Sequence, residues 1–102
     1  MSTIKNKYCP TKSLEILGDF WTLSIVQALS VGEKRFKELE KEITGINPAT
    51  LSGRLKKLEK EKLIFRKEET LNKLSVVYSL TPKGRGISPI LTEIRKFSTR
   101  FL

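Results

Sequence analysis

Along residues 11–62 the apolar positions recur every three or four residues, and capping and glycine signals divide this stretch into helices. Thr11 is placed to cap a short helix carrying Leu14, Ile16 and Leu17, with Gly18 expected to close it in the left-handed conformation. Asp19 restarts the chain, and Trp21, Ile25, Val26 and Leu29 define a second helix over residues 20–30 that Gly32 stops. Phe36, Leu39 and Ile43 mark a third helix, short and polar on its other side, ending at Thr44 and Gly45. Asn47 then supplies an N-cap and Pro48 a first helical position, where the missing N–H costs nothing. Leu51, Leu55 and Leu58 form the buried stripe of this fourth helix, expected over about residues 48–62. Helix, tight glycine-containing turn and helix is the sequence form of a helix-turn-helix unit, although any small helical bundle makes similar pairs.

The period then changes. Leu74, Val76, Tyr78 and Leu80 alternate with Ser75, Val77 and Ser79, the pattern of a strand, and LIFRKEE before it can pair with it through a TLNK connection. Phe65 and Tyr78 are expected to be used in packing. A two-stranded ribbon is marginal alone and must lie against the helices. A helix-turn-helix followed by such a ribbon is a winged helix, so the expected fold is mainly α with a small β-hairpin (α+β). Thr81 and Pro82 open a last helix in which Ile87, Ile90, Leu91, Ile94, Phe97 and Phe101 form an apolar seam, while Gly84, Gly86 and Pro89 weaken or kink its first half. The closing ILTEIRKFSTRFL is more apolar than a helix needs if it only covers a small core.

The outer side of the fourth helix is unusual. With its leucines turned inward, helical rotation points Ala49, Ser52, Gly53, Lys56 and Lys60 outward and puts Thr50 and Lys57 on the flank. A solvated face normally carries long polar helix formers throughout, because Gly inside a helix costs roughly 1 kcal/mol relative to Ala. Small residues near the helix start let a backbone come close to base edges, and the lysines further along can meet phosphates. Thr50 and Ser52 can hydrogen-bond to bases or phosphates, and the methyl groups of Ala49 and Thr50 can touch thymine. Arg54, nearer the core edge, is expected to grip phosphate rather than read a guanine. At the hairpin tip Asn72 and Lys73 can approach the minor groove or backbone, with Glu68 and Glu69 unfavourable neighbours there.

Charge supports this picture. Twenty Lys and Arg against eleven Asp and Glu in 102 residues give a net charge of +9, which favours polyanionic partners, nucleic acid first. Histidine is absent, removing the commonest general base and the triads that depend on it, and the carboxylates lie mostly among lysines at (i, i+4) spacing, so no catalytic pair stands out. We expect no enzyme and no cofactor or metal. One cysteine, Cys9, excludes an intramolecular disulfide framework, and no stretch has the length and apolarity of a membrane span, so the cytosol or the nucleoid is the expected compartment. Cys9 lies beside Lys7 and Lys12, whose charge favours thiolate, although a lone cysteine is most often a small buried hydrophobe. Two other roles for a basic winged helix are a protein-assembly module with only non-specific nucleic-acid binding, and RNA binding, which would favour aromatic side chains on an exposed sheet.

The order CP, ILGDFWTLSIV, RFKEL, GINPATLSGRLKKLEKEKLIFRK, VYSLTPKG and PILTEIRKF resembles the HxlR-type branch of the MarR-like winged-helix transcriptional regulators over nearly the whole chain. The chain departs from the family pattern at Phe20, where a basic residue is common, at Phe97, where an aromatic Trp is common, and in TLNKLS, where the wing often carries prolines. The resemblance implies one domain spanning residues 1–102, with an N-terminal arm at 1–10, the helix-turn-helix at 35–62, the wing at 63–80 and a dimerisation helix at 82–102. It implies a homodimer whose terminal helices pack together, through Ile90, Ile94, Phe97 and Phe101, with the helix after GIN in the major groove of double-stranded DNA. It also implies that Cys9 stands where some relatives carry a thiol that senses oxidants or electrophiles.

Overall fold

A computed structural model describes residues 10–69 and 75–102; Cys9, Asn72, Lys73 and the whole TLNK connection lie outside the described residues. Helices α1 (Thr11–Leu17) and α2 (Phe20–Val31) are followed by a short strand β1 (Lys34–Arg35), α3 (Phe36–Glu42) and α4 (Pro48–Lys60). Strands β2 (Ile64–Glu69) and β3 (Ser75–Leu80) come next, then α5 (Pro82–Arg85) and α6 (Ser88–Phe101). Among the described residues no single helix is long and apolar enough to cross a membrane.

The core is one cluster built from the inward stripes. Ile25, Val26 and Leu29 of α2 meet Leu39 of α3 with Ile43 just beyond it, Leu51, Leu55 and Leu58 of α4, then Leu63, Ile64, Leu80, Ile87 and Leu91. Trp21, Phe36 and Tyr78 pack against it, half-buried. Between α3 and α4 the chain turns at Gly45, whose φ of 85° is the left-handed conformation that glycine adopts most readily.

Several boundaries differ from the pattern in the sequence. Thr11 does not cap α1: Leu14 N donates to the Pro10 carbonyl at 2.9 Å, so the ladder begins one residue earlier and Pro10 holds the cap position. Gly18 is not left-handed, with φ −77°; it is glycine because a Cβ there would collide with the Leu14 carbonyl oxygen, which accepts from Gly18 N. Helix α4 stops at Lys60 instead of continuing to Lys62, because Lys62 takes φ 61° and Leu63 N donates back to the Leu58 carbonyl at 2.9 Å. That is a Schellman-type ending with a lysine in the place glycine usually fills.

The sheet has a third strand that the sequence pattern does not announce. Its order is β1-β3-β2, all antiparallel, with Lys34 opposite Tyr78, and Ile64 opposite Leu80. Two residues are too few to show a period. The same register corrects the assignment of Phe65: it lies opposite Ser79, on the face away from Ile64 and Leu80, and is 55% exposed rather than packed. Val77, expected on the polar side, is buried, with Arg35 and Lys67 opposite it on its two ladders.

The last helix breaks in two. Thr81 caps α5, its hydroxyl accepting from Gly84 N at 2.9 Å and donating to the Lys62 carbonyl at 2.8 Å, and Gly84 is buried where a Cβ would overlap the Leu63 carbonyl. The expected seam accordingly splits by face. Ile87 and Leu91 join the core, whereas Ile90, Ile94, Phe97 and Phe101 stay exposed along one side of α6, the two phenylalanine rings 5.2 Å apart.

Candidate nucleic-acid interface

Helix α4 forms where its sequence directs. The Asn47 side chain accepts from Thr50 N at 2.8 Å, Pro48 takes the first position, and Leu51, Leu55 and Leu58 are buried almost completely. Its other side is open. Ala49, Gly53, Lys56 and Lys60 are exposed, with Thr50 and Ser52 half-buried on the flank, so no part of the described chain seals this face.

Gly53 is the informative residue. Among the described residues an added Cβ would meet nothing within 4 Å, and the residue is not among those with positive φ. The fold therefore gives no steric or conformational reason for a glycine in mid-helix, where it weakens the helix by roughly 1 kcal/mol against Ala.

Two cations of this helix are engaged within the monomer. In the monomer Arg54, expected to grip phosphate, is paired with Asp19 of α2. Its Nε donates to Asp19 Oδ2 at 2.7 Å and its Nη2 to Asp19 Oδ1 at 3.3 Å, a two-point pair with the N-cap of α2. The pair holds the Asp19 carboxyl well below the usual carboxylate range and raises Arg54, so both are fully charged at neutral pH. A depressed carboxyl contributes stability above the ordinary carboxylate range and loses it only as pH falls below that range. Lys57 Nζ donates to the Glu15 carbonyl at 3.0 Å, satisfying one of the unpaired C=O groups at the end of α1. Lys56 and Lys60 have no ion pair among the described residues, which leaves their ammonium groups available at the far end of the face.

The base of the wing is less hostile to phosphate than its acidic residues suggest. Glu68 faces Arg66 at 3.0 Å, a contact that raises Arg66, and Glu69 faces Arg35 at 3.4 Å across the sheet. Each carboxylate has an arginine neighbour. Asn72 and Lys73, expected at the wing tip, and Cys9 lie outside the described residues. The Asp19–Arg54 pair was not legible in the sequence: Asp19 reads only as a helix start, and nothing in residues 35 apart marks them as neighbours.

A family model described as HxlR-like helix-turn-helix matches residues 16–102. The HTH-type transcriptional regulator YvaP of Bacillus subtilis is 36% identical over 100 residues, covering 96% of this chain and 93% of the relative. The HTH-type transcriptional regulator YodB of the same organism is 32% identical over 98 residues, covering 94% and 88%. Among solved structures, a MarR-family transcriptional regulator from Porphyromonas gingivalis W83 superposes with a TM-score of 0.87 at 36% identity, covering 99% of this chain and all of the other. Reduced YodB superposes with a TM-score of 0.81 at 32% identity, covering 91% and 93%. A quinone-bound form of YodB has also been solved, with a TM-score of 0.75 at 29% identity, covering 91% of this chain and all of the other.

Proposed function

Because this chain belongs to the HxlR-like helix-turn-helix family, and is a transcriptional regulator rather than an enzyme, we propose that it recognises a specific DNA sequence as a homodimer with α4 in the major groove. The carrying observation is the open face of α4, slim at Ala49 and Gly53 and cationic at Lys56 and Lys60, with a glycine that its own fold does not require. Ala49, Thr50, Ser52 and Gly53 bring side chains and backbone to base edges, and Lys56 and Lys57 meet phosphate once Lys57 leaves the Glu15 carbonyl. Asn72 and Lys73 of the wing reach the flanking backbone or minor groove. Helix α6 joins two copies through Ile90, Ile94, Phe97 and Phe101. Two such subunits set their α4 helices roughly 34 to 36 Å apart, one turn of B-DNA, so the operator is an inverted repeat.

Selection of bound genomic fragments by the purified protein at stated salt tests this. The expected yield is an inverted-repeat motif whose affinity falls with salt at a log–log slope of about −0.9 per neutralised phosphate. Uniform weak binding with no enriched motif would leave a basic module used for protein assembly. For Cys9, flanked by Lys7 and Lys12, we propose an oxidant- or electrophile-sensing role, supported by the quinone-bound structure of the relative YodB. Oxidants or quinones are expected to change operator affinity in the wild type and not in Cys9→Ser. An unchanged wild type would exclude it.

A further inference from the structure

One carboxylate serves two helices. Asp19 Oδ2 caps α2, accepting from Thr22 N at 2.9 Å and from the Thr22 hydroxyl at 2.7 Å, while the same carboxylate receives the guanidinium of Arg54 from α4. Capping alone does not need a charge, since Ser and Asn cap as well as Asp. What an uncharged cap lacks is a partner for a guanidinium fork, whose two N–H groups fix direction as well as distance.

The location matters for recognition. Arg54 follows Gly53 directly, so its anchor sits at the edge of the face proposed to meet DNA. Leu51, Leu55 and Leu58 are buried and set which side of α4 faces the core, but hydrophobic contact is itself non-directional. The fork adds a directional restraint at the edge of the open face. We propose that Asp19 is a positioning residue for DNA recognition: by gripping Arg54 it sets the rotation of α4, and so decides how Ala49, Ser52 and Gly53 are presented to base edges.

This rests on the placement of α4 in the major groove, and it opposes simple charge counting. Removing the Asp19 carboxylate raises the net charge from +9 to +10, which by itself strengthens binding to any duplex. Loss of positioning weakens binding to the preferred duplex alone.

The test uses the full chain and two probes at one salt concentration: a duplex selected by the wild type from a randomised pool, and a scrambled duplex of the same length. Asp19→Ser keeps a capping side chain and removes the fork acceptor; Arg54→Lys keeps the charge and the intact α2 cap but removes the fork. Each is expected to lower the ratio of selected to scrambled affinity by roughly tenfold, about the size of one mismatched base pair. Scrambled binding holds or rises, and the double variant loses no more than either single one, because both remove one coupled interaction. A purely structural role would lower the melting temperature and leave this ratio unmoved. An unchanged ratio, or losses that add in the double variant, would overturn the proposal, since additivity means Arg54 acts on DNA independently of Asp19. Should Asp19→Ser fail to fold, Arg54→Lys alone decides between lowered and unchanged ratio. A wild type that selects no sequence overturns the groove placement itself, and the positioning role with it.

Discussion

Gly53→Glu is expected to lower operator affinity by at least about a hundredfold while leaving the domain folded. Folding is spared because the position is exposed, a Cβ there meets nothing within 4 Å among the described residues, and glutamate is a better helix former than glycine. Binding is lost because a long anionic side chain would occupy the space of a base edge and bring like charge to a phosphate-lined groove. Juxtaposed like charges cost several kcal/mol, and each 1.4 kcal/mol is tenfold in affinity. Gly53→Ala separates the two contributions. It is expected to raise the melting temperature by roughly 5 °C, the effect of about 1 kcal/mol in a domain of this size, and yet to weaken operator binding. Calorimetry and a mobility-shift titration on the same preparations check both. Retained operator affinity in Gly53→Glu would remove α4 from the interface.

Phe97→Glu is the second substitution with a large expected effect. In the monomer Phe97 is 57% exposed and lies on the same stripe as Ile90, Ile94 and Phe101, so a carboxylate there costs the isolated fold little. A contiguous apolar stripe of this kind on a soluble surface marks an interaction site. Between two copies the new charge would be buried without a partner, which is strongly unfavourable. Sedimentation is expected to show a dimer for the wild type and a monomer for the variant. Operator affinity falls at least a hundredfold as the second half-site loses its tethered partner. A wild type that remains monomeric at micromolar concentration, or a variant that remains dimeric, would exclude this face of α6 from the subunit contact.

The parts legible in the sequence were those written as long periods or strong local signals. The stripes of α2 and α4, the Asn47-Pro48 start and the alternation of β3 each repeat a pattern often enough to set element type, and together they imply a winged helix. What escaped depends on tertiary proximity or on pieces too short to repeat. Strand β1 has only two residues, and its pairing with β3 is visible only once the chain has folded. Phe65 looks like core until the register places it opposite Ser79, and Lys62 conceals a left-handed helix ending that glycine would have advertised.

The candidate interface was legible in the same uneven way. Composition and helical rotation suffice to find the slim face and its lysines, because both are local properties of α4. They do not suffice for Arg54, whose position on the flank suggested phosphate. In the monomer its guanidinium is paired with a full opposite charge 2.7 Å away on α2, a neighbour that no local pattern reveals. Periodicity also united Ile87 and Leu91 with Ile90, Ile94, Phe97 and Phe101, whereas packing against the core divides them into a buried pair and an exposed stripe.

The most direct measurement is an amide NMR titration of the protein with the duplex it selects. If α4 lies in the major groove, the largest shift changes fall on the exposed and flanking residues from Ala49 to Lys57. If the outer face of α6 joins two subunits, it changes little on adding DNA. Shifts concentrated on α6 or on the outer face of the sheet, with the amides of Ala49, Ser52 and Gly53 unmoved at saturation, would contradict the account.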